Sequence, residues 1–303
     1  MDIKQRSRLG IRTALISSFC NVIVAIGKIV FGILGNSFAL IADGVESTLD
    51  IISSIIVWGG LKIAAEPADD NHPYGHGKAE SLAGVIVSTI LISAGLGIGY
   101  NGIARILSPD LMAPKAFTLY VFIIVIIIKE ILYQYTIKVS KLINSTSMKA
   151  EAWHHRTDAI TTVMALIGVF IAINTSYKIA DGLAGVLCGC IIIFNGSRIL
   201  YASSNEVMDT VASDEIYDKI KNITLTHAEI KNIDNCRIRK SGLQYLLDIE
   251  IQVDPTITVM AGHKIAHELE DILLQDKNLN IIDIIIHVEP FIPEIDSKSS
   301  FEI

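Results

Sequence analysis

Long apolar segments alternate with short polar connections through the first two thirds of the chain. Six of these segments are long enough to cross a bilayer as helices. They lie near residues 12–34, 37–63, 81–104, 117–138, 155–174 and 179–201. The pattern therefore predicts an all-α membrane domain of six transmembrane helices over residues 1–207.

After residue 208 the long apolar segments end, and apolar residues alternate with polar ones at the spacings of amphipathic helices and strands. Helical spacing in 213–227 is followed by two alternating segments, by an amphipathic helix and by a last strand. The four later elements cover residues 232–242, 244–254, 258–276 and 280–290. The order αββαβ predicts a small α+β domain over 208–292, with helices on one face of a sheet. We expect residues 293–303 to form a flexible tail.

Composition supports this division into a membrane part and a soluble part. Hydrophobic residues make up 51% of the 303 residues, and charged residues make up 19%. The charged residues crowd the last third. A formal net charge of −7 gives no reason to expect nucleic-acid binding. Four scattered cysteines predict no disulfide framework, and we expect Cys188 and Cys190 to be small core residues.

Lysine and arginine indicate how the predicted helices are oriented. One set of connections contains Lys4, Arg6, Arg8, Arg12, Lys138, Lys141, Lys149 and Arg156, and the opposite set contains Arg105, Lys115 and Lys178. The richer set includes the N-terminus and should face the cytoplasm. With an even number of helices, both termini of this multi-pass protein are expected there.

Three acids interrupt the second apolar segment. Asp43, Glu46 and Asp50 are spaced i, i+3 and i+7, so they share one face of a helix. A carboxylate at that depth in a bilayer requires a partner, a cavity or an ion. Asp43 could be a direct ligand, an acid outside the ligand set, a proton carrier or a hydrogen-bonding residue between helices.

The fifth segment offers a matching pair of side chains. His154 and Asp158 are spaced i and i+4, as are Glu46 and Asp50. Two helices that each present two ligands can close a four-ligand cage, which suits zinc and also iron(II) or manganese(II). His155 points elsewhere on its helix.

Ion pairing is the alternative explanation of these charges. Lys28 and Lys129 also lie in apolar segments and could neutralise the acids within the bundle.

A polar connection between the second and third segments holds another cluster. Asp69, His72 and His76 lie within eight residues, in a turn rich in proline and glycine. Such a loop can curl so that all three side chains meet one cation, although an ordinary solvated loop would have a similar composition. The segment "GHGKAES" lacks the spacing of a phosphate-binding loop, which argues against an ATP-driven pump.

The strings "PADDNHPYGHGKAES", "ESTLD" and "HHRTD" together resemble the cation diffusion facilitator family. The resemblance spans essentially the whole chain and points to the bacterial zinc/iron-type divalent metal cation/proton antiporters. It implies a cytoplasmic domain of metallochaperone or ferredoxin-like fold. It also implies a transport site, a loop site and a dimer or hinge salt bridge between Lys78 and Asp209. The transport site would consist of Glu46, Asp50, His154 and Asp158, and the loop site of Asp69, His72 and His76.

Two features depart from the common family pattern. The first is Glu46, at a position where family members usually have Asp or His. His154, by contrast, is the residue typical of zinc and iron carriers. The cytoplasmic binuclear site of zinc antiporters is rich in histidine, whereas acids partly replace the imidazoles here. The matching positions are Asp234, Glu250, His263, His287 and Glu289. A polar dimer surface without metal is the alternative for these positions.

The resemblance implies a homodimeric divalent cation/proton antiporter that exports Zn²⁺ by alternating access. We expect a bacterial inner-membrane location, contact with the lipid bilayer, no enzymatic activity and no cofactor beyond the bound divalent metal. Metal binding requires deprotonated ligands, so protons and metal would exchange, with His154 as the natural titrating group. Iron(II), manganese(II), cobalt(II) or cadmium(II) could replace zinc as the substrate. A metal-dependent membrane hydrolase and a non-transporting metal receptor are the alternatives from other functional classes.

Overall fold

A computed structural model describes residues 3–108, 112–143, 145–175, 177–210, 213–242, 244–276 and 278–292. Its first part consists of six long helices. These are α1 (Ile3–Gly35), α2 (Phe38–Ala64), α3 (Lys78–Ile106), α4 (Phe117–Ile143), α5 (Thr146–Asn174) and α6 (Ile179–Val207). Each coincides with one predicted apolar segment, so that part of the fold prediction is confirmed. The predicted tail at 293–303 lies outside the described residues.

Five of these helices are long and apolar enough to cross a membrane, judged by length and composition within the described residues. They are α1, α3, α4, α5 and α6. The helix outside this group is α2, which contains Asp43, Glu46 and Asp50. Large apolar side chains remain exposed along the outer faces of the helices, including Phe19, Phe170 and Phe194. Such surfaces suit a lipid environment.

The described chain divides into two compact units. One comprises Met1–Val57 with Ile86–Leu200, and the other comprises Trp58–Val85 with Tyr201–Ile303. The predicted domain boundaries at 207/208 and 292/293 stay predictions.

Two apolar clusters hold the first unit together. One joins α2, α3 and α6 through Ala42, Leu49, Val87, Leu91, Ile98, Cys188 and Ile192. The other joins α2, α4 and α5 through Ala39, Leu40, Phe122, Ala165 and Val169. Both clusters include α2, so the helix that contains the three acids is held between the others.

The start of α2 is fixed by a carboxylate from another helix. The first N–H groups of a helix have no partner within the helix itself. Asp181, at the start of α6, accepts hydrogen bonds from the Phe38 backbone nitrogen at 2.8 Å and the Ala39 backbone nitrogen at 3.1 Å. It also accepts one from the Ser37 hydroxyl at 2.8 Å. This buried cap fixes where α2 begins and thereby the register of its acids.

The second unit contains the predicted α+β fold. Its elements are α7 (Asp214–Thr226), β1 (Ile230–Ser241), β2 (Gln244–Val253), α8 (Val259–Gln275) and β3 (Ile281–Pro290). The strand order is β1-β2-β3, with β1 antiparallel and β3 parallel to β2. Gly242 has a φ of 62° in the turn between β1 and β2, a conformation that favours glycine. The predicted order αββαβ is confirmed.

The core of this second unit lies between the sheet and its helices. Residues buried there include Ile220 of α7, Ile249 of β2 and Leu269 of α8. Helices α7 and α8 therefore cover one face of the sheet.

Candidate metal centre

The membrane helices bring three of the four predicted transport ligands together. One ligand atom each from Asp50, His154 and Asp158 lies within 4.8 Å of the others. The His154 Nε2 atom is 3.8 Å from Asp50 Oδ2, and its Nδ1 atom is 3.6 Å from Asp158 Oδ1. Because Asp50 lies on α2 and the other two on α5, the cluster bridges two helices. Two carboxylates and an imidazole at this separation can bind one divalent cation.

Glu46 lies outside this group in the structure. Its carboxylate contacts α6 instead, where Cys188 Sγ lies 3.3 Å from Glu46 Oε2. The predicted four-ligand cage is therefore seen as a three-ligand cluster with Glu46 beside it. The fourth position stays a prediction.

One oxygen of Asp158 is shared with a buried lysine. Lys129 Nζ on α4 donates to Asp158 Oδ2 at 2.6 Å and to Asn21 Oδ1 at 3.0 Å. The Lys129 side chain is only 2% exposed. The expected alternative of ion pairing thus applies to one oxygen of Asp158, while Oδ1 faces His154. Because Lys129 contacts Oδ2 of Asp158, the Oδ1 atom remains available to a cation.

Asp43 forms a separate buried network one turn before Glu46. Its Oδ1 atom is 2.9 Å from Lys28 Nζ, and both side chains are at most 4% exposed. The Thr162 hydroxyl on α5 donates to Asp43 Oδ2 at 3.1 Å, and Lys28 donates to Ser47 Oγ at 3.0 Å. Of the roles considered for Asp43, the structure shows the hydrogen bonding between helices. It joins α1, α2 and α5 beside the ligand cluster.

His155 turns away from His154 and is buried. Its Nε2 atom lies 2.6 Å from the Ser17 hydroxyl on α1 and 3.6 Å from Glu151 Oε1. This contact joins α1 to α5. The structure keeps it apart from the ligand cluster, as its position on the helix predicts.

The two neighbouring cysteines of α6 differ in their surroundings. Cys188 is buried, whereas Cys190 is exposed. The expectation of a core position is therefore right for Cys188 and wrong for Cys190, because residues two apart face different sides of a helix.

The polar loop brings its three candidate ligands together, while their role in binding metal stays a prediction. Ligand atoms of Asp69, His72 and His76 lie within 4.8 Å of one another. Asp69 Oδ1 is 3.2 Å from His72 Nδ1, and Oδ2 is 3.5 Å from His76 Nε2. The His72 backbone N–H donates to Asp69 and holds the pKa of that carboxyl below its usual range. The carboxylate is thus ionised and ready to bind a cation at neutral pH.

Replacing Asp69 by alanine should weaken zinc binding at this loop by more than about tenfold, since it removes the acid that contacts both histidines. Isothermal titration of the purified full chain would show one zinc equivalent bound more weakly by at least that factor. Asp70→Ala makes the same change at an adjacent exposed acid outside the cluster. Equal zinc binding by both variants would contradict a loop site.

Lys78 and Asp209 form an ion pair within one chain. Lys78 Nζ also donates to the Glu206 carbonyl oxygen at 2.7 Å, at the end of α6. Asp209 has a φ of 57°, in the left-handed region. The pair therefore links the start of α3 to the segment that follows α6. The role at a dimer interface or hinge stays a prediction.

The α+β domain brings together part of the predicted cytoplasmic site. Asp234, Glu250 and Glu289 place ligand atoms within 4.8 Å of one another, one from each strand. His287 Nε2 is 3.4 Å from Glu289 Oε1. His263 lies outside this group and stacks edge-on against His267, with ring centroids 4.4 Å apart. The predicted positions thus form an acidic cluster with one imidazole at its edge.

A further cluster in this domain has no counterpart in the sequence predictions. His227, Glu229 and Glu268 place ligand atoms within 4.8 Å of one another, and His227 Nε2 is 3.3 Å from Glu268 Oε2. The residues come from the end of α7, the approach to β1 and the middle of α8. Their spacing in sequence gives no local signal.

Comparison with known proteins places this architecture in a family. The model "Cation efflux transmembrane domain" matches residues 14–208, and "Cation efflux protein, cytoplasmic domain" matches residues 212–291. The chain therefore belongs to the cation efflux family, the cation diffusion facilitators. Its class is that of a multi-pass metal cation efflux transporter.

Curated relatives match along most of their length. The Manganese efflux system protein MneP of Bacillus subtilis (strain 168) is 31% identical, covering 96% of this chain and 99% of that protein. Metal tolerance protein 2 of Oryza sativa subsp. japonica is 31% identical, over 88% of this chain and 75% of that protein. The Magnetosome protein MamB of Magnetospira sp. (strain QH-2) is 29% identical, over 82% of this chain and 84% of that protein. A solved MamM-CTD domain shares 18% identity over 26% of this chain and 100% of its own, with a TM-score of 0.25.

Proposed function

We propose that the protein is a divalent metal cation/proton antiporter that exports zinc from the cytoplasm. The main support is the convergence of Asp50, His154 and Asp158 on two helices of the matched transmembrane domain. Asp50 lies near the middle of α2, and Asp158 lies near the middle of α5. Ionisable residues at such positions within membrane helices mark ion pathways.

Proton coupling follows from the chemistry of these ligands. A cation binds carboxylates and a neutral imidazole, so protons leave when metal binds and return when metal is released. A site that faces each side of the membrane in turn would exchange metal for protons. An inward proton gradient would then drive metal out.

Zinc is the proposed substrate because His154 supplies an imidazole, a ligand that suits zinc. Manganese is the second candidate. The similarity to a relative named as a manganese efflux protein favours it, as does the excess of carboxylates over imidazoles around the cluster.

The proposed setting is an inner membrane, with both termini in the cytoplasm and two copies joined through the α+β domain. The matched cytoplasmic family model carries the name ZT_dimer, which supports a homodimer. Lysine and arginine are richer in the connections on the proposed cytoplasmic side.

Replacing His154 by aspartate tests the choice of metal. Loss of the only imidazole among the three clustered ligands should lower zinc transport relative to manganese transport by about tenfold or more. Uptake of each metal into proteoliposomes, measured side by side, gives this ratio.

His267→Asp is the matched control, since His267 is exposed and outside the clusters found among the described residues. It should leave the ratio unchanged. An unchanged ratio in His154→Asp would contradict the role of this imidazole in selecting the metal.

A further inference from the structure

The carboxylate of Glu46 contacts a thiol rather than the neighbouring ligands. Cys188 Sγ lies 3.3 Å from Glu46 Oε2, a distance at which the thiol donates a hydrogen bond to the carboxylate. Cys188 belongs to α6, while the three clustered ligands belong to α2 and α5. Glu46 is therefore held toward a third helix.

Glu46 is nevertheless placed to reach the cluster. It lies one turn before Asp50 on α2, and residues at i and i+4 share a helix face about 5–6 Å apart. A glutamate side chain has three rotatable bonds, enough to span such a separation by a change of rotamer. The same carboxylate can thus contact either the thiol or a cation beside Asp50.

There is also space beside the Glu46 side chain. A cavity of about 20 Å³ adjoins it, large enough for roughly one water molecule. Its lining includes Asp43 and Glu46 of α2, Thr161 of α5 and Cys188 of α6. The Glu46 and Cys188 side chains therefore adjoin unfilled space within the helix bundle.

We propose that Cys188 is a positioning residue that competes with the transported cation for the carboxylate of Glu46. When Glu46 contacts the thiol, three ligands remain for the cation. When Glu46 swings toward Asp50, it completes the cage and strengthens cation binding. The thiol then favours release by drawing Glu46 back. This inference rests on the proposed transport site.

Replacing Cys188 by alanine removes the competing donor. Cation binding should become about fivefold tighter, which corresponds to about 1 kcal/mol and to one modest hydrogen bond. In proteoliposomes, KM for zinc and the maximal rate should both fall, because the cation binds better but leaves more slowly. Zinc affinity of the purified full chain is measured by competition with a chelating dye.

Three further comparisons separate positioning from packing. Cys188→Ser keeps a donor of similar size and should restore affinity close to that of the native chain. Cys190→Ala makes the same cysteine-to-alanine change at an exposed position two residues away and should have no effect. In a Glu46→Ala background, Cys188→Ala should add nothing, since the two residues act as one pair.

Several results would overturn the proposal. Unchanged affinity in Cys188→Ala, with binding at the membrane site still lost in Asp50→Ala, would reject the positioning role and leave the transport site intact. Weaker binding of cadmium in both Cys188→Ala and Cys188→Ser would make the thiol a direct ligand instead. Retained binding at the membrane site in Asp50→Ala would reject the transport site itself.

Discussion

Replacing Asp50 by alanine should abolish metal transport, with a fall in rate of more than about 100-fold. Altering a residue that merely supports a metal ligand typically costs about 10-fold to 100-fold, and Asp50 is itself one of the three clustered ligands. Among the three clustered residues, Asp50 is the one on α2, so its loss leaves that cluster with His154 and Asp158 of α5. Zinc entry into proteoliposomes, followed with a luminal dye, measures the rate.

Folding must be shown to survive this change. Asp50→Asn keeps the shape of the side chain and removes its charge, so it should fail in transport as well. Asp70→Ala, at an exposed acid of the loop, should transport normally. The elution volume of each purified dimer would report its assembly. Normal transport by a folded Asp50→Ala protein would show that the ligand assignment is wrong.

Breaking the Lys28–Asp43 pair should destabilise the membrane helices strongly. Removing one partner of a buried ion pair leaves an uncompensated charge and costs about 3–5 kcal/mol. Both side chains are at most 4% exposed, and their ion-pair distance is 2.9 Å. The free energy of unfolding in a detergent titration should fall by that amount in Lys28→Ala.

A double replacement tests whether the loss of stability comes from leaving one charge of the pair unpaired. Lys28→Met together with Asp43→Asn removes both charges at similar volume, and most of the lost stability should return. Lys62→Ala, at an exposed lysine of α2, should change stability by less than about 1 kcal/mol. If the double variant is no more stable than Lys28→Ala, the unpaired charge of Asp43 does not explain the lost stability.

Much of the fold follows from local sequence pattern. The membrane helices are long apolar segments, and a helix is the structure that satisfies its own backbone in lipid. The strands alternate, and the break between β1 and β2 falls at Gly242, which has the positive φ expected of a turn glycine. The i and i+4 spacing also places His154 and Asp158 correctly on one face of α5.

The partners of buried charges cannot be read from the same pattern. Asp181 caps α2 from 144 positions beyond Ser37, and Cys188 contacts Glu46 across 142 positions. Such contacts depend on which helices are neighbours and on their rotation. Spacing along one helix shows which residues share a face, but it does not show which helix that face meets. Spacing therefore assigns Glu46 to the cage, whereas its contact with α6 emerges only from the structure.

Proton movement driven by metal distinguishes a proton-coupled metal transporter from a protein that only binds metal. Purified protein would be placed in liposomes that contain a pH-sensitive dye, and zinc would be added outside. We expect zinc entry to drive protons out and raise the luminal pH, and Asp50→Ala to show no such rise. Zinc entry without a change in luminal pH, or an equal rise with Asp50→Ala, would contradict proton-coupled transport at this site.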